Sequence, residues 1–464
     1  MTDEDRPDND DFEELLRGLL GGSGGMLGPE QLEQLRGLGV DPAMMQQVLR
    51  QMQTAFTSGA EGIDWGAART QALHLANRDG HGIASGQRQD FDQAFALATL
   101  WLSEATTVSD LGTSPRAVTR GQWVDATLPV WQELAEPVAT SIADALTAAI
   151  DSQTPEEMKS AIAGAGKFMR TVGGSLFAAQ LGGVIGRLSQ EVVSGGDVGI
   201  PVMPDGDAAI LPQNFDDFGR DLEIEHDQLA LYLATRELAH ARLFRHARWL
   251  RLHLISQVTE FARGIHVDMS ALEDLAARFD PSSPDELRTA IESGALLPQR
   301  TEAQTLALQR LENLLATVEG WVDVVTADAT SRLPASGRIA EAVRRRRAVG
   351  GPAEQAMGSL VGLELRPRRL REAAQMWRAV TDAVGIPERD ALWDYPDLMP
   401  GPDDIDDPAG LITRLQARGR GEAPPRDAMD DALDALLKSA ADDATGGASE
   451  VPDEPDHPDD PRPV

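Results

Sequence analysis

The chain has 464 residues, of which 42% are hydrophobic, which is enough to bury a sizeable core. Its 75 acidic and 42 basic residues leave a net charge of -33. This charge argues against nucleic acid as a partner, because binding to phosphates needs clustered Lys and Arg. Cysteine is absent, which excludes disulfides, thiolate nucleophiles and Cys-type zinc sites. His and carboxylate side chains are therefore the only strong metal ligands in the sequence.

No segment of the sequence resembles a secretory signal or a membrane span. The Met-Thr-Asp-Glu-Asp start lacks a basic region followed by an apolar one. The uncharged stretch Thr171–Gly186 is shorter than the roughly 20 residues that a bilayer span needs. We therefore expect a cytoplasmic protein with no membrane partner, whose oligomeric state the sequence leaves open.

Composition divides the chain into three parts. Residues 1–40 are acidic and rich in Gly, so we expect disorder or a loosely held helix there, and residues 419–464 are acidic and low in complexity, so we expect them to be disordered. A short helix at Met429–Leu437 would be the exception in the second of these. Residues 41–418 have the apolar periodicity of a globular region and are predicted to be mainly α-helical.

The sequence predicts where several helices begin and how long two of them are. Helix starts are predicted at Asp64, at Asp90 and at Thr301, where Thr301 with Gln304 has the spacing of a capping box. The pattern also predicts one long or twice-broken helix from His226 to about Ile265, and another from Glu302 to about Asp328.

The exception to the helical pattern is the segment Val198–Pro212. Its two short apolar runs flank the Pro204-Asp205-Gly206-Asp207 turn, which predicts a small β-hairpin. An exposed edge of such a hairpin could pair with an extended peptide.

The helix predicted around Leu229–Phe244 carries three polar residues on one largely apolar side, namely Arg236, Glu237 and His240. Zinc peptidases of the zincin type use His-Glu-x-x-His on a helix, where both His bind one metal and the Glu takes a proton from the metal-bound water. Glu237 and His240 occupy the base and second-ligand positions of this motif. Arg236 occupies the position of the first ligand.

Glu319 is a candidate third ligand from a later helix. It lies on the apolar stripe formed by Leu308, Leu311, Leu315, Val318 and Val322. A carboxylate on a buried stripe needs a cation, a metal or several N–H donors as partners. His246, six residues after His240, is an additional candidate ligand, although an unbroken helix would rotate it about 240° from His240.

These segments resemble the actinobacterial zincin-like metallopeptidase family over roughly Leu97–Pro408. The resemblance is carried by RELAHARLF at 236–244, VEGWVD at 318–323, GLELRPR at 362–368, DLMP at 397–400 and DIDDP at 404–408. It implies a zincin-like fold and zinc-dependent hydrolysis of peptides. It also implies Glu237 as the base, and His240 and Glu319 as zinc ligands.

Two hypotheses share this fold. In the first, the protein is a zinc-dependent peptidase in which Glu237 activates water. In the second, Arg236 replaces the metal, pairs with Glu319 or Glu237 and receives support from His240, in an inactive protein that binds a peptide or protein partner. The basic run Arg344–Arg347 is interpreted as a solvated helix end.

Overall fold

The computed structural model describes residues 63–153, 174, 177–204, 206–265, 301–350, 358, 368–422, 432 and 435–439. The mainly α-helical fold is confirmed in this part of the chain. None of its helices combines the length and the apolar character needed to cross a membrane.

Twelve helices and two short strands have defined bounds in the described residues. In chain order they are α1 (Trp65–Asn77), α2 (Ser85–Ala105), β1 (Arg116–Ala117), α3 (Arg120–Gln153), β2 (Ala209–Ile210), α4 (Pro212–Gly219), α5 (His226–His246), α6 (Trp249–Arg263), α7 (Glu302–Ala329), α8 (Ser336–Val349), α9 (Leu370–Val384), α10 (Ile386–Asp390), α11 (Pro402–Asp406) and α12 (Pro408–Gly419). Residues 177–191 are also helical, and two single-turn 3-10 helices span Ala391–Trp393 and Pro396–Leu398.

Two of the three predicted helix starts are confirmed. The Asp64 side chain accepts from the N–H of Ala67, and Thr301 forms the expected capping box with Gln304. The predicted start at Asp90 is wrong because α2 already begins at Ser85. At this start the Gln87 side chain accepts from the N–H of Ala84, and the N-cap residue Ala84 provides no side-chain cap of its own.

The described helices pack around two apolar cores. One core lies between α2, α5, α7 and α9, and the other lies between α1, α3, residues 177–191 and α6. Helix α7 contributes to both, with Leu308 in the second core and Val318 in the first. The predicted segment 226–265 is broken once, between α5 and α6, at Ala247 and Arg248.

The predicted hairpin is wrong. Strand β2 pairs in parallel with the distant strand β1, with Arg116 opposite Ala209. On its other side, Leu211 donates to the carbonyl of Val193, and Ser194 forms an antiparallel bridge with Ile210. The run before the turn contains Pro201 and Pro204, which lack the N–H donors that a hairpin ladder requires.

Several predictions lie outside the described residues. These include the disorder of residues 1–40, the globular region between 41 and 62, and most of the acidic segment 419–464. Within that last segment, residues 435–439 are helical, which agrees with part of the helix predicted at Met429–Leu437.

Candidate functional site

The polar residues singled out on α5 are buried inside the fold. Arg236 is 4% exposed, and Glu237 and His240 are each 1% exposed. Fifteen consecutive residues of α5, from Leu229 to Leu243, are buried, so the helix runs through the interior. Buried charges of this kind require partners, and the partners come from three other segments.

Glu319 of α7 is the first of these partners and is fully buried. Its Oε2 accepts a hydrogen bond from Nη2 of Arg236. Its Oε1 lies 3.3 Å from Nε2 of His240 and 3.5 Å from Nη2 of Arg347. Helices α5 and α7 therefore bring Arg236, His240 and Glu319 together, at the three positions that the zincin pattern reserves for metal ligands.

The negative charge of Glu319 is stabilised by two arginines and by the His240 ring. Burial alone would raise its pKa, but Arg236, Arg347 and His240 outweigh burial and hold the pKa of Glu319 well below its ordinary value. Burial lowers the pKa of His240, and the opposite effect of the nearby Glu319 carboxylate only partly offsets this shift. Glu319 is thus a carboxylate and His240 a neutral imidazole at neutral pH.

The carboxylate of Glu237 is bound by backbone N–H groups. Its Oε2 accepts from the N–H of Gly196 at 2.8 Å, and its Oε1 accepts from the N–H of Ala209 at 2.9 Å. Burial raises the pKa of Glu237 to about 7, although these two bonds and one with the Ser194 side chain favour the charged form. The carboxyl group therefore connects α5 both to the segment that contains Gly196 and to strand β2, and its pKa lies near 7.

The basic run at the end of α8 takes part in the site, so its interpretation as a solvated helix end is wrong for three of the four residues. Arg344 forms a two-pronged ion pair with Asp323, with contacts of 2.9–3.3 Å. Arg346 pairs with Asp197 at 2.6 Å, and Arg347 reaches Glu319. Arg345 alone is exposed. Asp197 and Asp323 provide the buried carboxylates that these arginines need.

A glycine-containing loop, residues 194–200, covers the site. A Cβ added to Gly195 would lie 2.7 Å from Oε1 of Glu237, and one on Gly199 would lie 2.5 Å from Oε1 of Glu319. Gly199 also has φ +82, a conformation that favours glycine. Arg347 fixes the loop by donating to the carbonyl of Val198 at 3.0 Å.

A small cavity remains beside Glu237. Its volume is about 20 Å³, and its lining includes Gly196, Met203, Asp207 and Phe244. A space of this size holds about one water molecule.

His246 lies apart from the ionic centre. Helix α5 continues unbroken to His246, whose Nε2 lies 2.9 Å from Oδ1 of Asp394 near the surface. The structure thus brings His240 and Glu319 together and places His246 with a different carboxylate.

The residues at the centre do not match the ligand set of a catalytic zinc. Such a site needs three protein ligands, and its histidines usually donate their second ring nitrogen to a supporting group. Here Arg236 occupies the first-ligand position, and Nδ1 of His240 has no hydrogen-bond partner among the described residues. The described residues also contain no group of three or more His, Asp or Glu arranged to hold a metal.

Sequence reasoning missed Asp197, Asp323 and the role of Arg347. Asp323 follows Glu319 by four residues, so the two carboxylates share one face of α7, which was a readable signal. Asp197 lies in a loop whose fold no periodicity predicts. Its pKa would be raised by burial, but Arg346 and Arg347 hold it below the ordinary value.

The layout defines a class of protein. A mainly helical chain that presents a Glu-x-x-His segment to a glutamate of a later helix has the arrangement of a zincin-type hydrolase. Residues 63–412 match the family described as zincin-like metallopeptidase, and the chain belongs to this family.

One solved structure shares the fold. It is the crystal structure of a suspected hydrolase with a novel fold from Chloroflexus aurantiacus, which is 20% identical and superposes with a TM-score of 0.51. The match covers 76% of this chain and 99% of the other. No curated protein matches the chain.

Proposed function

We propose that this chain is a zinc-independent, non-hydrolytic member of its family that works by binding a peptide or protein. The observation that carries the proposal is the buried ion pair between Arg236 and Glu319. It places a permanent cation where the family pattern has a metal ligand, because a guanidinium keeps its proton at any accessible pH.

The charge balance of the centre supports this proposal. Both oxygens of Glu319 already contact cationic or N–H-bearing groups, from Arg236, Arg347 and His240. A zinc ion would have to displace these contacts and then lie beside two guanidinium groups that repel it. Only His240 and Glu319 would remain as ligands, one fewer than catalytic zinc normally has.

The loop and strand that enclose the site also support the non-hydrolytic proposal. Loop 194–200 lies over Glu237, His240 and Glu319, and the neighbouring cavity has room for about one water. Strand β2 has neighbours on both sides, so a substrate cannot add to it as an extra strand. The binding surface of the protein is therefore proposed to lie outside this centre.

Hydrolysis is the second candidate, and one observation favours it. The pKa of Glu237 is raised to about 7, which is the range expected of a general base at neutral pH, and the one-water cavity adjoins it. Under this reading, zinc would be held by His240 and Glu319 together with a ligand from elsewhere.

Metal content separates the two candidates. The full chain, purified without chelator, is dialysed against excess zinc and then against metal-free buffer, and its zinc is counted by mass spectrometry beside E319A. Non-hydrolytic function predicts well below one zinc per chain in both proteins, with no cleavage of a peptide mixture. About one zinc per wild-type chain, lost in E319A, would overturn the proposal in favour of hydrolysis.

A further inference from the structure

Two guanidinium groups from different helices meet at the Glu319 carboxylate. Arg236 of α5 contacts Oε2, and Arg347 of α8 contacts Oε1 at 3.5 Å. Both side chains are buried, with Arg236 4% and Arg347 6% exposed. Together they carry the same charge as one zinc ion, so the centre is electrostatically complete without a metal.

We propose that Arg347 is the second residue that excludes metal from this centre, and that a zinc site arises only when both arginines are replaced. The inference rests on the proposed function, because it assumes that the wild-type centre is metal-free. Arg347 lies outside the His-Glu-x-x-His motif, in which Arg236 occupies the first position.

The geometry at Glu319 distinguishes the two arginines. His240 reaches Oε1, the same oxygen that Arg347 contacts, whereas Arg236 reaches Oε2. A metal held jointly by His240 and Glu319 would lie near Oε1. Replacing Arg236 therefore vacates the other oxygen and leaves a positive charge against the one that the metal needs.

Arg347 is also fixed in place. Its Nη2 donates to the carbonyl of Val198 at 3.0 Å, and a Cβ on Gly199 would lie 2.9 Å from that same nitrogen. The preceding residue, Arg346, holds the loop from another side through Asp197. The guanidinium is therefore buried and held between the Val198 carbonyl of loop 194–200 and Glu319 of α7.

Calorimetric zinc titration of four full-length proteins tests this inference: wild type, R236H, R347M and the double variant R236H/R347M. The introduced imidazole would stand one helical turn before His240, which with Glu319 completes a three-ligand set. We expect about one zinc per chain for the double variant, bound at least about 100-fold more tightly than by R236H, because a unit charge next to the metal is gone.

Two further variants separate charge from packing. R236H/R345M removes the exposed neighbour of Arg347 and should bind zinc no better than R236H. R236H/R347K keeps the positive charge and should likewise bind zinc no better than R236H. If circular dichroism finds R347M unfolded, R347Q replaces it in the series.

The outcomes are distinct for the two proposals. Equal zinc affinity of R236H and the double variant would overturn the role of Arg347, as would tight binding by R236H/R347K. Either result is still compatible with the proposal that the wild-type protein works without zinc. Zinc binding by the wild type itself would instead overturn the proposed function.

Discussion

Gly196 lies directly against His240, and a Cβ added to Gly196 would come within 2.8 Å of the His240 Cβ. The same residue donates its N–H to Glu237. One glycine therefore contacts both residues of α5 that a zincin would use for catalysis. Because no space separates them, loop 194–200 and α5 are expected to behave as one packed unit.

The first prediction concerns this packing. Replacing Gly196 with alanine forces its new methyl group against the His240 side chain, and the backbone of α5 cannot retreat because it is buried. We expect G196A to lower the free energy of unfolding by about 1–3 kcal/mol, as overpacked cores do. Urea denaturation of the full chain measures the change.

G337A is the matched control. Gly337 lies in the first turns of α8, and an added Cβ meets nothing within 4 Å. Alanine there should leave stability unchanged or raise it by up to about 1 kcal/mol, since it favours helix. Equal stability of G196A and the wild type would show that the loop is not packed against His240.

The second prediction concerns the Arg236–Glu319 pair. R236M removes one partner of a fully buried ion pair, and we expect it to reduce the free energy of unfolding by about 3–5 kcal/mol. The double variant R236M/E319M should lose less than the sum of the two single variants, because each single variant already removes the interaction between Arg236 and Glu319. Chemical denaturation of the three variants measures this coupling.

The exposed pair between Arg69 and Asp125 is the control for this cycle. Its side chains are 53% and 45% exposed, so R69M should change stability by about 0–1 kcal/mol. Additive effects of R236M and E319M would mean that the two residues do not interact in solution.

Sequence alone anticipated a large part of this centre, for a physical reason. Helical periodicity places Arg236 and His240 on one side of α5, and a glutamate on an apolar stripe demands a partner, so Glu319 was identifiable. The loop 194–200 was not, because Gly195, Gly196 and Gly199 carry no periodic signal and their function depends on tertiary contacts. The hairpin prediction was wrong for a related reason, because β2 pairs with a strand about 90 residues earlier in the chain, at Arg116.

The third prediction concerns pH. The pKa of Glu237 is raised from 4.5 to about 7 in the folded protein, chiefly by burial. Between these two values the folded state binds a proton that the unfolded state has lost, so the contribution of Glu237 to stability is complete below pH 4.5 and falls as pH rises to 7. This group alone should reduce stability by roughly 3 kcal/mol across that window.

E237Q isolates the effect because an amide does not titrate. Glutamine cannot accept both backbone N–H bonds, from Gly196 and Ala209, so E237Q should be less stable than the wild type at pH 5. The difference should shrink by pH 8, since the wild type then holds a buried charge. Urea unfolding of both proteins at the two pH values measures it. A difference that stays constant or grows with pH would contradict the raised pKa.

A second buried ionic cluster forms around Asp390 and contacts α7 at Trp321, two residues after Glu319. Asp390 accepts from the hydroxyl of Thr106 at 2.7 Å, the N–H of Thr107 at 2.8 Å and Nε1 of Trp321 at 3.0 Å. It also pairs with Nε of Arg389 at 2.8 Å. These contacts join α2, α7 and α10, so that Asp390 fixes the orientation of the helix that carries Glu319.

The fourth prediction follows from that cluster. D390A leaves Arg389, which is fully buried, without its carboxylate, and we expect a loss of about 3–5 kcal/mol in the free energy of unfolding. D394A, four residues later, removes only the partner of the exposed His246 and should cost about 0–1 kcal/mol. Thermal unfolding of the two variants side by side is the measurement. Because α7 contributes to both apolar cores, D390A should lower the midpoint of a single transition; a separate early transition would show instead that the two cores unfold independently.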